Sequence, residues 1–187
     1  MPYIKPLRDV DEHNVLNGFY AWSGAIPTTK GIFVKIFSGW STESELSELG
    51  NASSAYNNVV NQRVGLSTTV CPAFGSGDNA IGLLLYDVRE LDENGLPLKW
   101  DSAKQARMQC TLSGQSVVIA QKGKFLYSGI NGGANPVVGV SPGAPAYLAN
   151  DGGINTSGSL TNAGVTKVGK FLGVPNAQGV CLVQIDL

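Results

Sequence analysis

The sequence predicts an all-β fold, and three observations support this prediction. Charged residues make up only 14% of the 187 residues, against about 25% in ordinary soluble domains. Glycine occurs 24 times, and Gly together with Ser, Thr and Asn favours tight turns over long helices. Short apolar runs recur about every ten residues with turn residues between them, which is typical of a small β-barrel or sandwich.

The strand pattern is clearest in the C-terminal part of the chain. Apolar and β-branched runs there predict strands at 116–121, 124–128, 136–140, 145–148, 166–172 and 180–185. Residues that accept turn geometry separate these runs, at 122–123, 141–143, 150–153 and 176–179. We therefore expect this part to form the β-barrel or sandwich.

The N-terminal part is predicted to be β-rich as well, with one or two short helices. Strands are predicted at 31–37, 59–64 and 80–88, and the second of these lies within an irregular loop over 51–78. Thr42 and Glu45 fit a capping box, which predicts a short helix over 42–49. Asp101 or Ser102 would cap a second helix over 102–108.

Charge and glycine content divide the chain near residues 112–114. Residues 1–112 carry 21 of the 27 charged residues, whereas residues 113–187 carry six charged residues and 14 of the 24 glycines. The sequence therefore predicts two regions. The first, 1–112, is an N-terminal arm plus a β-rich region, and the second, 113–187, is a Gly-rich β-barrel.

Composition also argues against two classes of partner. The net charge is −1 and no basic run occurs, so direct nucleic-acid binding is not expected, because that requires a cationic surface. No apolar run approaches the roughly 18 residues of a membrane helix, and residues 1–15 lack the apolar centre of a signal peptide. We expect a soluble protein that is made in a reducing cytosol and has no membrane contact.

No set of residues predicts catalysis, a metal site or a cofactor. The cysteines Cys71, Cys110 and Cys181 lie far apart in the chain, so we expect buried thiols and not a zinc site or a disulfide framework. His13 is the one histidine and lies in a polar N-terminal stretch, whereas nucleophilic catalysis needs a histidine held by its neighbours.

Two weaker motifs are also interpreted as structural. Residues 164–170 match the spacing of a phosphate-binding loop, but Phe171 follows where a Ser or Thr would hold magnesium. Acidic residues cluster at Asp9 with Asp11 and within 87–93. A glycosidase pair is the enzymatic alternative there. The others are a solvated surface or, less often, a set of calcium ligands. We predict that the protein is not an enzyme.

An aromatic cluster near the N-terminus is the candidate contact site. Phe19, Tyr20 and Trp22 follow a mixed-charge stretch. One interpretation is that these side chains pack on their own domain. The other is that they anchor an arm to a partner, because aromatic anchors dominate the energetics of interfaces.

Four segments of the C-terminal part follow one another in a recurrent order. They are 139–148 (GVSPGAPAYL), 151–153 (DGG), 168–173 (VGKFLG) and 179–183 (GVCLV). This order resembles the small β-barrels of the lambda-type head decoration proteins of tailed bacteriophages, where a Tyr-Leu strand, a glycine turn and two glycine-led strands succeed one another. The opening residues 6–15 (PLRDVDEHNV) also resemble the start of phage virion proteins.

The resemblance covers roughly 40% of the chain and rests on glycine and strand spacing. It implies a structural virion protein, made in the host cytoplasm, that binds the major capsid protein on the outside of the assembled capsid as a homotrimer. Phe19, Tyr20 and Trp22 would then contact the capsid or a neighbouring subunit. The alternative function is a head-fibre or receptor-binding module of the virion.

Overall fold

The computed structural model describes residues 4–6, 14–16, 18–21, 29–38, 69–74, 77–128, 130, 140–156 and 166–187. The predicted all-β fold is confirmed, since strands dominate these ranges and one short α-helix occurs in them. The predicted helix over 42–49 and the predicted strand over 59–64 lie outside the described residues.

Fourteen short strands are the main regular elements of the described structure. In chain order they are β1 (Ile4–Pro6), β2 (Val15–Leu16), β3 (Tyr20–Ala21), β4 (Phe33–Ser38), β5 (Thr69–Pro72), β6 (Gly82–Leu84), β7 (Asp87–Val88), β8 (Cys110–Thr111), β9 (Ile119–Ala120), β10 (Lys122–Tyr127), β11 (Pro145–Leu148), β12 (Ile154–Asn155), β13 (Lys167–Phe171) and β14 (Cys181–Asp186). A 3₁₀ turn spans Leu98–Trp100, and helix α1 spans Ser102–Met108.

The strands form two six-stranded sheets and one small two-stranded sheet. The first sheet has the order β1-β10-β14-β13-β11-β12 and is antiparallel throughout. The second has the order β2-β9-β6-β4-β5-β3, with a parallel pair between β3 and β5. Strands β7 and β8 pair in parallel as the third sheet. Sheet membership crosses the composition boundary near 112–114, because β1 joins the first sheet and β9 joins the second.

A shared apolar core joins the two large sheets. Alternate residues of β10 and β14 point inward, so Phe125, Tyr127 and Val183 are buried while their chain neighbours are not. Phe33 and Leu83, from the second sheet, belong to the same buried cluster. The other side of the second sheet packs on a smaller cluster around Val34, Val70 and Ile119.

Backbone hydrogen bonds around residues 31–33 connect the two sheets directly. The Gly31 N–H donates to the Leu84 carbonyl at 2.8 Å and extends the β4–β6 pair of the second sheet. The Phe33 N–H donates at 2.8 Å to the carbonyl of Gly152, which lies between β11 and β12 of the first sheet. The buried Tyr127 hydroxyl of β10 donates to the Gly31 carbonyl at 2.7 Å. Burial raises the pKa of this hydroxyl far above its ordinary value, so it stays a neutral donor. We name residues 31–33 the sheet clasp.

Several sequence predictions agree closely with the structure. Helix α1 occupies the predicted 102–108, with the Asp101 carboxylate accepting from the Lys104 N–H at 2.9 Å. Strand β11 occupies the predicted 145–148, and a turn with an Ala144 N–H to Ser141 carbonyl bond of 3.0 Å precedes it. All three cysteines are buried, as predicted.

Three sequence predictions are wrong in detail. The predicted turn at 122–123 is part of β10, because Gly123 makes room for the Phe125 ring, which would lie 2.8 Å from a Cβ. The predicted strand over 80–88 is two strands, since β6 belongs to the second sheet and β7 pairs with β8. The predicted loop over 51–78 contains β5, whose Val70 and Cys71 are buried in the sheet.

Replacing Tyr127 with phenylalanine is expected to lower the free energy of unfolding by about 1–3 kcal/mol, because the buried Gly31 carbonyl loses this donor. The measurement is urea unfolding, with Tyr86→Phe as the matched control, since Tyr86 is exposed. Equal unfolding midpoints for the two variants would contradict a stabilising role of the sheet clasp.

Replacing Gly169 with alanine is expected to cost about 1–3 kcal/mol of stability. A Cβ at this position of β13 would lie 2.0 Å from the Gln184 carbonyl oxygen in β14. Gly173→Ala is the control, because a Cβ there meets no atom within 4 Å. Equal urea unfolding midpoints for Gly169→Ala and Gly173→Ala would contradict the close approach of β13 and β14.

Candidate docking module

The structure describes two of the three residues of the predicted aromatic contact site. Phe19 is only 4% exposed and packs in the smaller core with Val34 and Val70. Tyr20 is half-buried in β3, opposite Thr69. Trp22 lies outside the described residues. Phe19 therefore follows the first interpretation, packing on its own protein, and contacts of Tyr20 and Trp22 with a partner remain a prediction.

A different exposed surface occurs on residues 87–112, which we name the docking module. Its two strands, β7 and β8, pair with each other in parallel, apart from the two large sheets. Leu98, Cys110 and Leu112 form its own small buried cluster, with Met108 packed against them. The Lys30 N–H donates to the Asp87 carboxylate at 2.7 Å and so attaches the module next to the sheet clasp.

Helix α1 is held in the docking module by hydrogen bonds more than by apolar burial. None of its residues is buried. The Gln105 side-chain amide donates to the Cys110 carbonyl at 3.1 Å and to the Gln115 side chain at 2.8 Å. Gln109 ends the helix in the left-handed conformation, with φ of 50°. The helix therefore braces the module from outside and leaves its own surface in solvent.

The Asp92 carboxylate organises the loop between β7 and the 3₁₀ turn. One carboxylate oxygen accepts from the N–H groups of Asn94 and Leu96 at 2.8 and 2.7 Å, and the other accepts from the Lys104 ammonium of α1. The Lys104 hydrogen bond and then the Leu96 N–H hold the pKa of Asp92 below its ordinary value, against burial, which raises it. The loop is therefore pinned to the helix through one ionised side chain.

This pinned loop presents large apolar side chains to solvent. Leu91 is 52% exposed, Leu96 62% and Trp100 79%. The Lys99 ammonium lies 4.5 Å from the centroid of the Trp100 ring, within cation–π range. Leu98, between the exposed residues, is buried and anchors the turn. The module thus holds an exposed tryptophan on a preorganised support.

Such an arrangement suits protein recognition better than chemistry. Tryptophan is the residue type most enriched at interface hot spots, and a rigid support lowers the entropy lost on binding. The predicted acidic cluster within 87–93 is divided here. Asp92 is paired inside the module, Glu90 accepts from the Ser113 N–H at 3.0 Å, and Glu93 is exposed. The Asp92 and Glu90 carboxylates therefore serve the module's own structure.

Burial also determines the protonation state of the three cysteine thiols. It raises the pKa values of Cys71, Cys110 and Cys181, which keeps them protonated and weakly nucleophilic. Among the described residues, no three His, Cys, Asp or Glu side chains meet as a metal ion would require. His13 lies outside those residues. No helix in the described ranges is both long and apolar enough to span a membrane.

Trp100 was not among the contact residues predicted from the sequence. A usable signal exists, since Trp100 lies between Lys99 and Asp101, directly before the N-cap residue of a helix. Comparisons with protein families, with curated proteins and with solved structures give no match. The docking module is therefore interpreted from its own geometry.

The Asp92 carboxylate is expected to titrate below the ordinary carboxyl value of about 3.9. Since its folded-state pKa is lowered, its contribution to loop stability is present above the ordinary value and is lost as the pH falls through the folded-state pKa. An NMR titration of the Asn94 and Leu96 amide shifts measures this midpoint.

The matched pair of variants for this titration is Lys104→Met and Lys99→Met. Lys104→Met removes the hydrogen bond to Asp92 and should raise the midpoint, whereas Lys99→Met removes a nearby charge that does not bond Asp92. A midpoint that moves equally in both variants would show that general charge, and not the Lys104 contact, sets the pKa.

Proposed function

We propose that this chain is a non-enzymatic structural protein of a bacteriophage virion that binds the outside of the assembled capsid and stabilises it. The proposal takes its partner, the major capsid protein, from the resemblance of residues 139–183 to phage head decoration proteins. Its all-β body suits this role, because a rigid scaffold loses little conformational freedom when it binds a fixed shell.

The observation that carries the proposal is the exposure of Trp100 on the docking module. An aromatic side chain that is 79% exposed, on the 3₁₀ turn that follows the pinned loop, has a large apolar area to bury against a partner. Leu91 and Leu96, exposed in the same short stretch, would extend that area. A site of this kind gains binding energy without any rearrangement of the body.

Binding of this type would stabilise a shell by mass action. A ligand that binds only the assembled capsid shifts the equilibrium toward the assembled state. A homotrimer would present three docking modules at once, so that individually weak contacts add through effective concentration. The expected location is the capsid surface of the virion, after synthesis in the host cytoplasm.

The second candidate function is a head-fibre or receptor-binding module, and the exposure of Trp100 supports it as well. An exposed tryptophan also offers a flat apolar surface to a ligand on a host cell. The two candidates differ in what Trp100 contacts, which is the shell in the first and the host surface in the second.

Trp100→Ala is expected to weaken binding to expanded empty heads of the phage that carries this chain by about 30-fold, the effect of losing an interface hot spot. Co-sedimentation of the purified protein with the heads measures the dissociation constant. Val174→Ala is the control, because Val174 is also strongly exposed, at 67%, and lies outside the docking module.

Negative-stain images of virions with and without the protein provide the second measurement. The proposal is supported if the wild-type protein and Val174→Ala bind heads and Trp100→Ala does not. Protein that never binds heads but binds host cells through Trp100 supports the receptor-binding candidate. Equal affinity of wild type and Trp100→Ala for heads excludes the docking module as the capsid contact.

A further inference from the structure

The outward side of the first sheet collects lysines that are distant in the sequence. Residues of β10 and β14 alternate between the core and solvent, and their charged residues are exposed. In β13, whose pairing with β11 is irregular, the exposed residues are Lys167 and Lys170. Lys5 of β1 is exposed on the same side, since it pairs with the outward Leu126. We name this surface the lysine face, and its charged members are Lys5, Lys122, Lys124, Lys167, Lys170 and Asp186.

Strand register brings these lysines into rows. Lys124, Gln184 and Lys170 are direct partners across β10, β14 and β13, so two lysines stand two strands, or about 10 Å, apart. Lys122 pairs with Asp186, and their charged groups are 3.0 Å apart. Within the described part of the chain, Lys124 and Lys170 form no ion pair. A shallow depression lined by Lys167, Lys170, Gln184 and Asp186 lies between the rows.

The described charges are therefore unevenly distributed. The lysine face carries five lysines and one aspartate, a net charge of +4. The charged residues that the structure describes elsewhere, six basic and seven acidic, sum to −1. A uniform distribution would leave no such face, so the surface has a preferred sign for a partner.

An apolar row borders the charged rows. Leu126 and Leu182 are direct partners across β10 and β14, and both are partly exposed on the outward side. The Leu172 N–H donates to the Leu182 carbonyl at 2.8 Å, and Leu172 is 37% exposed. Apolar area beside charged residues is the usual composition of a protein–protein interface.

We propose that the lysine face is a second interaction surface, which binds an acidic polypeptide surface. Complementary charge would orient the partner and speed the encounter, while the leucine row would contribute apolar burial. The inference does not depend on the proposed capsid function, because it concerns a different surface from the docking module.

A nucleic acid fits this face less well than an acidic protein does. Asp186 lies within the lysine rows, and the rest of the chain is acidic, so both repel a dense row of phosphates. Phosphate backbones also leave an apolar row such as Leu126 and Leu182 without a partner. An acidic protein surface has a lower charge density and can cover both parts of the face.

The test measures binding of the full chain to fluorescently labelled poly-L-glutamate by anisotropy, at low and at physiological salt. Wild type should bind at low salt and release as salt screens the charges. The variant Lys124→Gln/Lys170→Gln should bind about tenfold more weakly, a loss expected for two exposed charge contacts. Lys30→Gln/Arg107→Gln is the matched control, since it removes the same net charge outside the lysine face.

The outcomes separate this inference from the function proposed above. The lysine face is supported if Lys124→Gln/Lys170→Gln weakens poly-L-glutamate binding while Lys30→Gln/Arg107→Gln and Trp100→Ala still bind like wild type. Equal loss in the two double variants would mean that net charge alone governs binding. The proposal is overturned by that result, by absence of binding at low salt, or by tighter binding of an oligothymidylate of equal charge. It is also overturned if sedimentation shows that the double variant only loses contacts between copies of this chain.

Discussion

The arrangement of this protein depends on the sheet clasp at residues 31–33. Three consecutive residues exchange backbone hydrogen bonds with β6 of the second sheet and with Gly152 from the first-sheet side, while Tyr127 reaches across from β10. The hydrogen-bonding groups concerned are buried, so each would carry a desolvation cost without its partner. Because apolar burial has no direction, the large core alone would not fix how the two sheets are placed. The clasp supplies that direction.

With the body fixed in this way, its two exposed surfaces have different physical roles. The docking module concentrates apolar area on one braced tryptophan, which favours a slow dissociation rate. The lysine face spreads charge over several strands, which favours fast and oriented association. The exposed side chains of both surfaces lie outside the buried core that joins the sheets. Substitution of an exposed side chain such as Trp100 or Lys124 should therefore leave the fold intact.

Local signals explain which elements could be predicted from the sequence. Helix α1 was predictable because its cap is local: the Asp101 side chain accepts from the Lys104 N–H, three residues later. Strand β11 was predictable because its apolar pattern lies between two turns. Strands of two residues, such as β2, β3 and β8, carry too short a pattern for a period of two to be recognised. The lysine face was hidden because its rows form only through the register of β14. Trp100 was hidden because the sequence does not show which of Leu98 and Trp100, two apolar residues of one 3₁₀ turn, is buried and which is exposed.

The position of β14 has a consequence for how the chain reaches its folded state. This strand lies between β10 and β13, although both precede it in the sequence. Until β14 inserts, β10 and β13 each present an unpaired edge with open backbone donors and acceptors. Strand β1 also stays unpaired until it meets β10, from which more than a hundred residues separate it in the sequence. Folding therefore involves many distant contacts and is expected to be slow, with a transient risk of pairing between molecules.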